Sequence, residues 1–184
     1  MELKDLENLF QSVIVGITGL NPVTGVRIAW PTEGAPAFKI TDNIVFIQIT
    51  EDDEPINKQR DVVMSDTFDG TALVQTMTFN RVNKLALTIY GPDSWANAQA
   101  IRDQMFYQSV HDLLSVNNIY MVTEIGSPVR FPELFDERWW ERVDLSIRFN
   151  ELITNILTIP YVKSEEVIVI NADDGVQLAD ITVT

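Results

Sequence analysis

A chain of 184 residues, 46% of them hydrophobic, fits one compact domain with at most a small appendage, and it has enough apolar residues to build a core. Acids outnumber bases 27 to 13, and the net charge of −14 disfavours a sequence-reading nucleic-acid binder, because phosphate contacts require Lys and Arg. The lack of cysteine removes disulfides, thiolate zinc sites and thiol nucleophiles, and no apolar run reaches the ~18 residues of a membrane span.

Residues 2–20 predict an amphipathic helix, since Leu3, Leu6, Leu9, Phe10, Val13, Ile14 and Ile17 recur at the i, i+3, i+4 spacing of one apolar face. Lys4 is flanked by Glu2, Asp5 and Glu7, unlike the start of a secretory leader. Asn21-Pro22 ends the helix, because proline cannot continue the hydrogen-bond ladder. A short strand is expected over 26–30, a breaker-rich loop from Pro31 to Pro36, and a second strand over 44–50. The run Glu51-Asp52-Asp53-Glu54 stops that strand, and all four carboxylates are expected to be solvated, since burying one unpaired charge is costly. Residues 56–70 show no clear period and read as an extended excursion.

Alternation over 73–80 and 85–90 predicts two strands joined by a turn at Asn80-Arg81-Val82-Asn83-Lys84. Gly91-Pro92 breaks the pattern, and Asp93 or Ser94 caps a helix reaching residue 107, continued by a second helical piece over 108–114. A strand over 119–122 follows, then a loop over 124–138 with Pro128 and Pro132 as breakers. Over 140–151 Trp140, Arg142, Asp144, Ser146 and Arg148 alternate with Val143, Leu145, Ile147 and Phe149, the pattern of a long half-buried strand. In the tail, 167–170 and 176–183 flank Asp173-Asp174-Gly175, a hairpin signal. The order of elements predicts an α+β fold: a mainly antiparallel β-sheet with helices packed on one face. Residues 1–160 form its domain and 161–184 a C-terminal β-hairpin or arm.

Catalytic signatures are missing. His111 is the only histidine, and its neighbour Asp112 is not expected to face it on a helix. There is no HExxH, P-loop or GxGxxG. The many carboxylate pairs keep a small carboxylate-dependent hydrolase open as an alternative, but Glu51 to Glu54 lack the spacing of an EF-hand. No cofactor, metal or catalytic residue is therefore assigned. On a strand, one of Trp139 and Trp140 can enter the core while the other faces outward beside Arg138, Glu141 and Arg142. Such a tryptophan reads either as an interface anchor or as part of a partly buried core pair.

Several stretches, in this order and spacing, resemble the neck and tail terminator proteins of long-tailed phages. They are Val45-Phe46-Ile47-Gln48-Ile49-Thr50-Glu51-Asp52-Asp53, Asn57-Lys58-Gln59-Arg60-Asp61 and Tyr90-Gly91-Pro92-Asp93. Ala98 to Arg102-Asp103, Pro132-Glu133-Leu134-Phe135, Trp139-Trp140-Glu141-Arg142-Val143-Asp144 and Arg148-Phe149-Asn150-Glu151 complete the set. The similarity spans residues 40–155. It implies a structural subunit without cofactor that closes into a homo-oligomeric ring, usually a hexamer. Such a ring caps the tail tube and joins it to the head–tail connector. Its partners are then the connector and the tail tube protein or sheath. DNA passes without specific binding, no membrane is involved, and the protein resides in the virion neck after assembly in the host cytoplasm. A related connector or tube subunit is the alternative within the same class. Ring closure needs two different patches on each subunit, for which Arg60, Asp61, Arg138, Trp139, Trp140 and Arg142 are candidates. Glu51, Asp52, Asp53 and Glu54 either line the channel or its rim, where a negative wall keeps phosphate from sticking, or are merely solvated on the outer wall.

Overall fold

A computed structural model describes residues 1–29, 37–58, 61–68, 72–160, 165–170 and 177–183. Arg60, the loop from Pro31 to Pro36, Trp30 and the turn Asp173-Asp174-Gly175 lie outside the described residues. In chain order the first elements are α1 (Leu3–Thr18), β1 (Val26–Ile28), β2 (Ile44–Glu51), α2 (Pro55–Lys58), β3 (Val63–Phe68), β4 (Leu73–Tyr90), α3 (Ser94–Gln104) and α4 (Gln108–Ser115). The strands β5 (Ile119–Met121), β6 (Val129–Arg130), β7 (Glu133–Phe135), β8 (Arg138–Trp140), β9 (Arg142–Ile159), β10 (Glu165–Ile170) and β11 (Gln177–Val183) follow. The chain divides into two compact units, Met1–Val62 with Phe79–Ile153 and Val63–Thr78 with Thr154–Thr184.

The first unit carries the core. Its strands run in the order β1-β2-β4-β9-β5, with β6 beside β9. β1 and β2 pair in parallel, while β2–β4, β5–β9 and β6–β9 are antiparallel, so the sheet is mainly antiparallel and the fold is α+β as the pattern predicts. Alternation sends Val45, Ile47 and Ile49 of β2, Leu85, Leu87 and Ile89 of β4, and Val143, Leu145, Ile147 and Phe149 of β9 to one face, where all are buried. Leu6, Phe10, Val13 and Ile14 of α1, Ala98 and Ile101 of α3, and Leu114 of α4 cover that face. Phe10 and Phe149 are almost fully buried with ring centroids 4.5 Å apart, so Phe10→Ala should cost about 3–5 kcal/mol. Gly19 ends α1 at a φ of 67°, where its N–H donates to the Val15 carbonyl at 2.8 Å.

Four local expectations give way. Residues 80–84 are no turn, because β4 runs unbroken through them and pairs Asn83 with Glu51 and Lys84 with Thr50. Buried Asn83 donates to the buried Glu151 carboxylate at 3.0 Å, a tertiary bond that a local reading of Asn and Lys cannot see. The stretch 56–70 contains α2 and β3, and β3 pairs antiparallel with the first residues of β4. The loop 124–138 contains β6 and β7 and runs into β8, with which β7 forms a hairpin. Asp93 does sit before α3, but its carboxylate accepts from Asn43 Nδ2 at 2.7 Å and caps no helical N–H. In the second unit, β3 pairs with the start of β4, and β10 pairs antiparallel with β11.

Candidate functional site

The sheet face opposite the helices gathers the polar and aromatic residues that the buried alternation leaves over. At one end, Phe38, Phe46, Tyr90, Phe135 and Trp140 form an aromatic cluster. Phe38 lies 5.3 Å from Trp140 and 5.7 Å from Tyr90, and Phe135 lies 6.0 Å from Trp140, with the Trp140 pairs edge to face. Ala37, Phe38, Tyr90, Glu133, Phe135 and Trp140 line a cavity of about 350 Å³. The Trp140 indole donates to the Phe135 carbonyl at 3.3 Å.

A charged lattice ties the cluster together. The Tyr90 hydroxyl donates to Glu133 Oε2 at 2.7 Å. Burial first, then the bond to Glu133, pushes the Tyr90 phenol up to about 12, so it stays protonated. Arg142 donates from Nε and Nη2 to the two Asp144 oxygens at 2.9 Å, and its Nη1 lies 3.4 Å from Glu133. That bidentate bond to Asp144, against the opposing effect of burial, holds the guanidinium charged well above its ordinary range.

At the other end of the same face, Arg148 stands among three carboxylates. Its Nη1 bonds Glu54, its Nη2 lies 3.5 Å from Glu124, and its Nε lies 4.0 Å from Asp52. The four-acid run is therefore divided. Glu51 and Asp53 are exposed, Asp53 pairing with exposed Lys58 at 2.7 Å, whereas Asp52 and Glu54 are half-buried against Arg148. Uniform solvation of the run is thus corrected: alternation past the end of β2 turns every second acid toward the sheet.

The other candidates spread over this unit. Trp139 is 66% exposed beside exposed Leu134, its partner across the β7–β8 hairpin. Trp140 is half-buried, but in the outer aromatic cluster rather than the helix-side core, so neither tryptophan enters that core. Arg138 and Asp61 are exposed. Phe38, Tyr90, Glu133 and Phe135 were missed as site residues. Tyr90, Glu133 and Phe135 stand in the stretches that carry the family resemblance, and the period-2 phase of 85–90, which buries Leu85, Leu87 and Ile89, is the signal by which Tyr90 falls on the outer face. His111 Nδ1 does approach Asp112 Oδ1 to 3.6 Å, contrary to the expectation that these neighbours diverge, with both side chains exposed. Among the described residues no group of three or more His, Asp and Glu side chains is placed to hold a metal ion, and no helix is long and apolar enough to cross a membrane.

Comparison with known proteins gives one family. The sequence model described as phage neck terminator protein matches residues 4–177. A search of curated proteins finds no match.

Proposed function

Because the chain belongs to the phage neck terminator protein family and is thereby a structural protein of the virion neck, we propose that it forms a hexameric ring that caps the tail tube and joins it to the head–tail connector while DNA passes through. The observation that carries this reading is the family match across residues 4–177. The ring assembles in the host cytoplasm from copies of this chain, then meets the connector and the tail tube or sheath.

Arg138, Trp139, Trp140 and Arg142, with Arg60 and Asp61, belong to contacts with neighbouring subunits of the neck. Supporting this, Leu134, Phe135 and Trp139 on the β7–β8 hairpin and Phe131 just before it are all more than half exposed, an apolar patch of the kind that partners cover. Glu51 and Asp53 face the DNA path or its rim with Asp52 and Glu54 beside them, on a chain of net charge −14. Residues 161–184 serve the ring as a C-terminal β-hairpin or arm.

Electron microscopy of isolated necks tests the ring directly: rings of this chain should sit at the end of the tail tube, and necks without them would overturn the reading. Trp139→Ala and Trp140→Ala should each weaken assembly by about 2 kcal/mol or more if they anchor a contact. Normal particle yields from both variants would remove these residues from it. Replacing Glu51, Asp52, Asp53 and Glu54 by Lys should slow genome ejection most at low salt, where the Debye length is about 30 Å at 0.01 M. Ejection unchanged at every ionic strength would place the run away from the channel.

A further inference from the structure

The aromatic cavity has a chemistry that contact by apolar burial does not require. We propose that it seats an arginine side chain from a basic segment of a partner neck or tail protein; this rests on the reading of Trp139 and Trp140 as a contact.

Four rings, Phe38, Tyr90, Phe135 and Trp140, stand around about 350 Å³ with one carboxylate, Glu133, in the wall. Edge-to-face packing, as between Trp140 and its three neighbours Phe38, Tyr90 and Phe135, leaves electron-rich ring faces available to a cation. Both hydrogen bonds to Glu133, from Tyr90 and Arg142, fall on Oε2, so Oε1 has no partner among the described residues. The neighbouring Arg142 is already committed, its Nε and Nη2 engaged by Asp144 and its Nη1 by Glu133. Within the Glu133–Arg142–Asp144 lattice itself, two carboxylates face one guanidinium. Phe38 also shows that these rings accept a guanidinium, since the Arg27 Cζ lies 5.9 Å from its centroid.

The rim favours a polypeptide over a free ion. Exposed Leu134 and Trp139 on the β7–β8 hairpin, with exposed Phe131 just before it, would bury apolar neighbours of the arginine. Charge complementarity favours a basic partner over a second copy, because this chain carries only 13 Lys and Arg against 27 acids and so offers few cationic segments of its own.

The test titrates the full-length protein with N-acetyl-arginine methylamide and with its uncharged counterpart N-acetyl-citrulline methylamide. The probe is the Trp140 indole N–H resonance, assigned by its loss in Trp140→Phe. The arginine compound should saturate at a concentration about tenfold lower than the citrulline compound. Glu133→Gln, which keeps an acceptor for Tyr90, should remove most of that difference. It should also lower incorporation of the chain into necks while leaving the mass of the purified protein in light scattering unchanged. Equal binding of the two compounds, or an unmoved Trp140 resonance, overturns the cage even if Trp139→Ala and Trp140→Ala impair assembly, in which case the contact reading survives alone. Selective arginine binding with normal assembly of both tryptophan variants overturns the protein partner and the contact reading together. Loss of self-association in purified Glu133→Gln makes a second copy the occupant and overturns the basic partner.

Discussion

Asp136 and Glu137 form the turn of the β7–β8 hairpin with φ values of 49° and 60°, so both residues of a two-residue turn are left-handed. That geometry matches the twist of the flanking strands, but a β-carbon makes it costly, and Asp tolerates it better than Glu. Glu137→Gly should therefore stabilise the protein by about 0.5–1 kcal/mol, read as a higher denaturant midpoint. An unchanged or lower midpoint would mean that the turn is not strained. Gly91 is the converse case: at a φ of 108°, an added Cβ would stand 2.5 Å from both the Asp42 carbonyl and the Asn43 side chain. Tyr90 makes a prediction in pH. Its phenol is raised to about 12 in the folded state against an ordinary value of 10.0, so its contribution is full below pH 10.0 and is lost as pH rises toward 12. Alkaline unfolding of the parent protein should show this loss, and Tyr90→Phe should show less of it.

At the scale of elements, the unbroken course of β4 depends on what meets its middle. β2 pairs residues 83–90 and β3 pairs 73–78, so Val82 falls between the two pairings. Asn57, on the four-residue α2, fills part of this gap. Its Nδ2 donates to the Val82 carbonyl at 2.7 Å, and its Oδ1 accepts from the Val82 N–H at 2.8 Å. The Asp52 N–H donates to the same carbonyl at 3.0 Å. A side-chain amide here substitutes for a strand residue, because a buried backbone polar group left alone is expensive. Asn57→Ala should destabilise by about 1–3 kcal/mol, and hydrogen exchange at Val82 should accelerate well beyond that of Leu87. Exchange at Val82 that stays as slow as before would show that the amide is dispensable. The same element shows why 56–70 was not legible: α2 has no apolar face, and every residue of β3 is exposed, so neither leaves a periodic signature.

Across the whole first unit, distant segments converge on Glu151, which is 1% exposed. The Met1 amino group bonds it at 2.6 Å, Arg81 at 3.0 Å and Asn83 at 3.0 Å. Burial alone would raise this carboxyl, but the bond from the Met1 ammonium and the charge of Arg81 outweigh it and hold the group below its ordinary value of 4.5. A depressed carboxyl stabilises the fold at pH above 4.5, and that contribution is lost as pH falls through the lower folded value. Glu151→Gln should cost about 3–5 kcal/mol at neutral pH, with the gap to the parent narrowing in acid. A gap independent of pH would mean that charge is not what holds these partners.

Much of this architecture was legible from local pattern. The period-3.6 face of α1 and the period-2 phases of β2, the end of β4 and β9 named the residues that meet in the core, because a half-buried element must repeat its apolar side with its own geometry. The ordered run of motifs from Val45 to Glu151 pointed to the family that the match over residues 4–177 establishes. Tertiary structure decided what locality cannot carry. Asn80 to Lys84 became strand because Glu51, Asn57 and Glu151 supply partners from remote segments. Trp140 joined Phe38 and Tyr90 on the outer face, and Asp52 and Glu54 turned toward Arg148, contacts between residues far apart in the chain. A cavity walled by Phe38, Tyr90, Glu133 and Trp140 exists only once β4 and the β7–β8 hairpin are in place, since it depends on the distances between those elements rather than on the composition of any one of them.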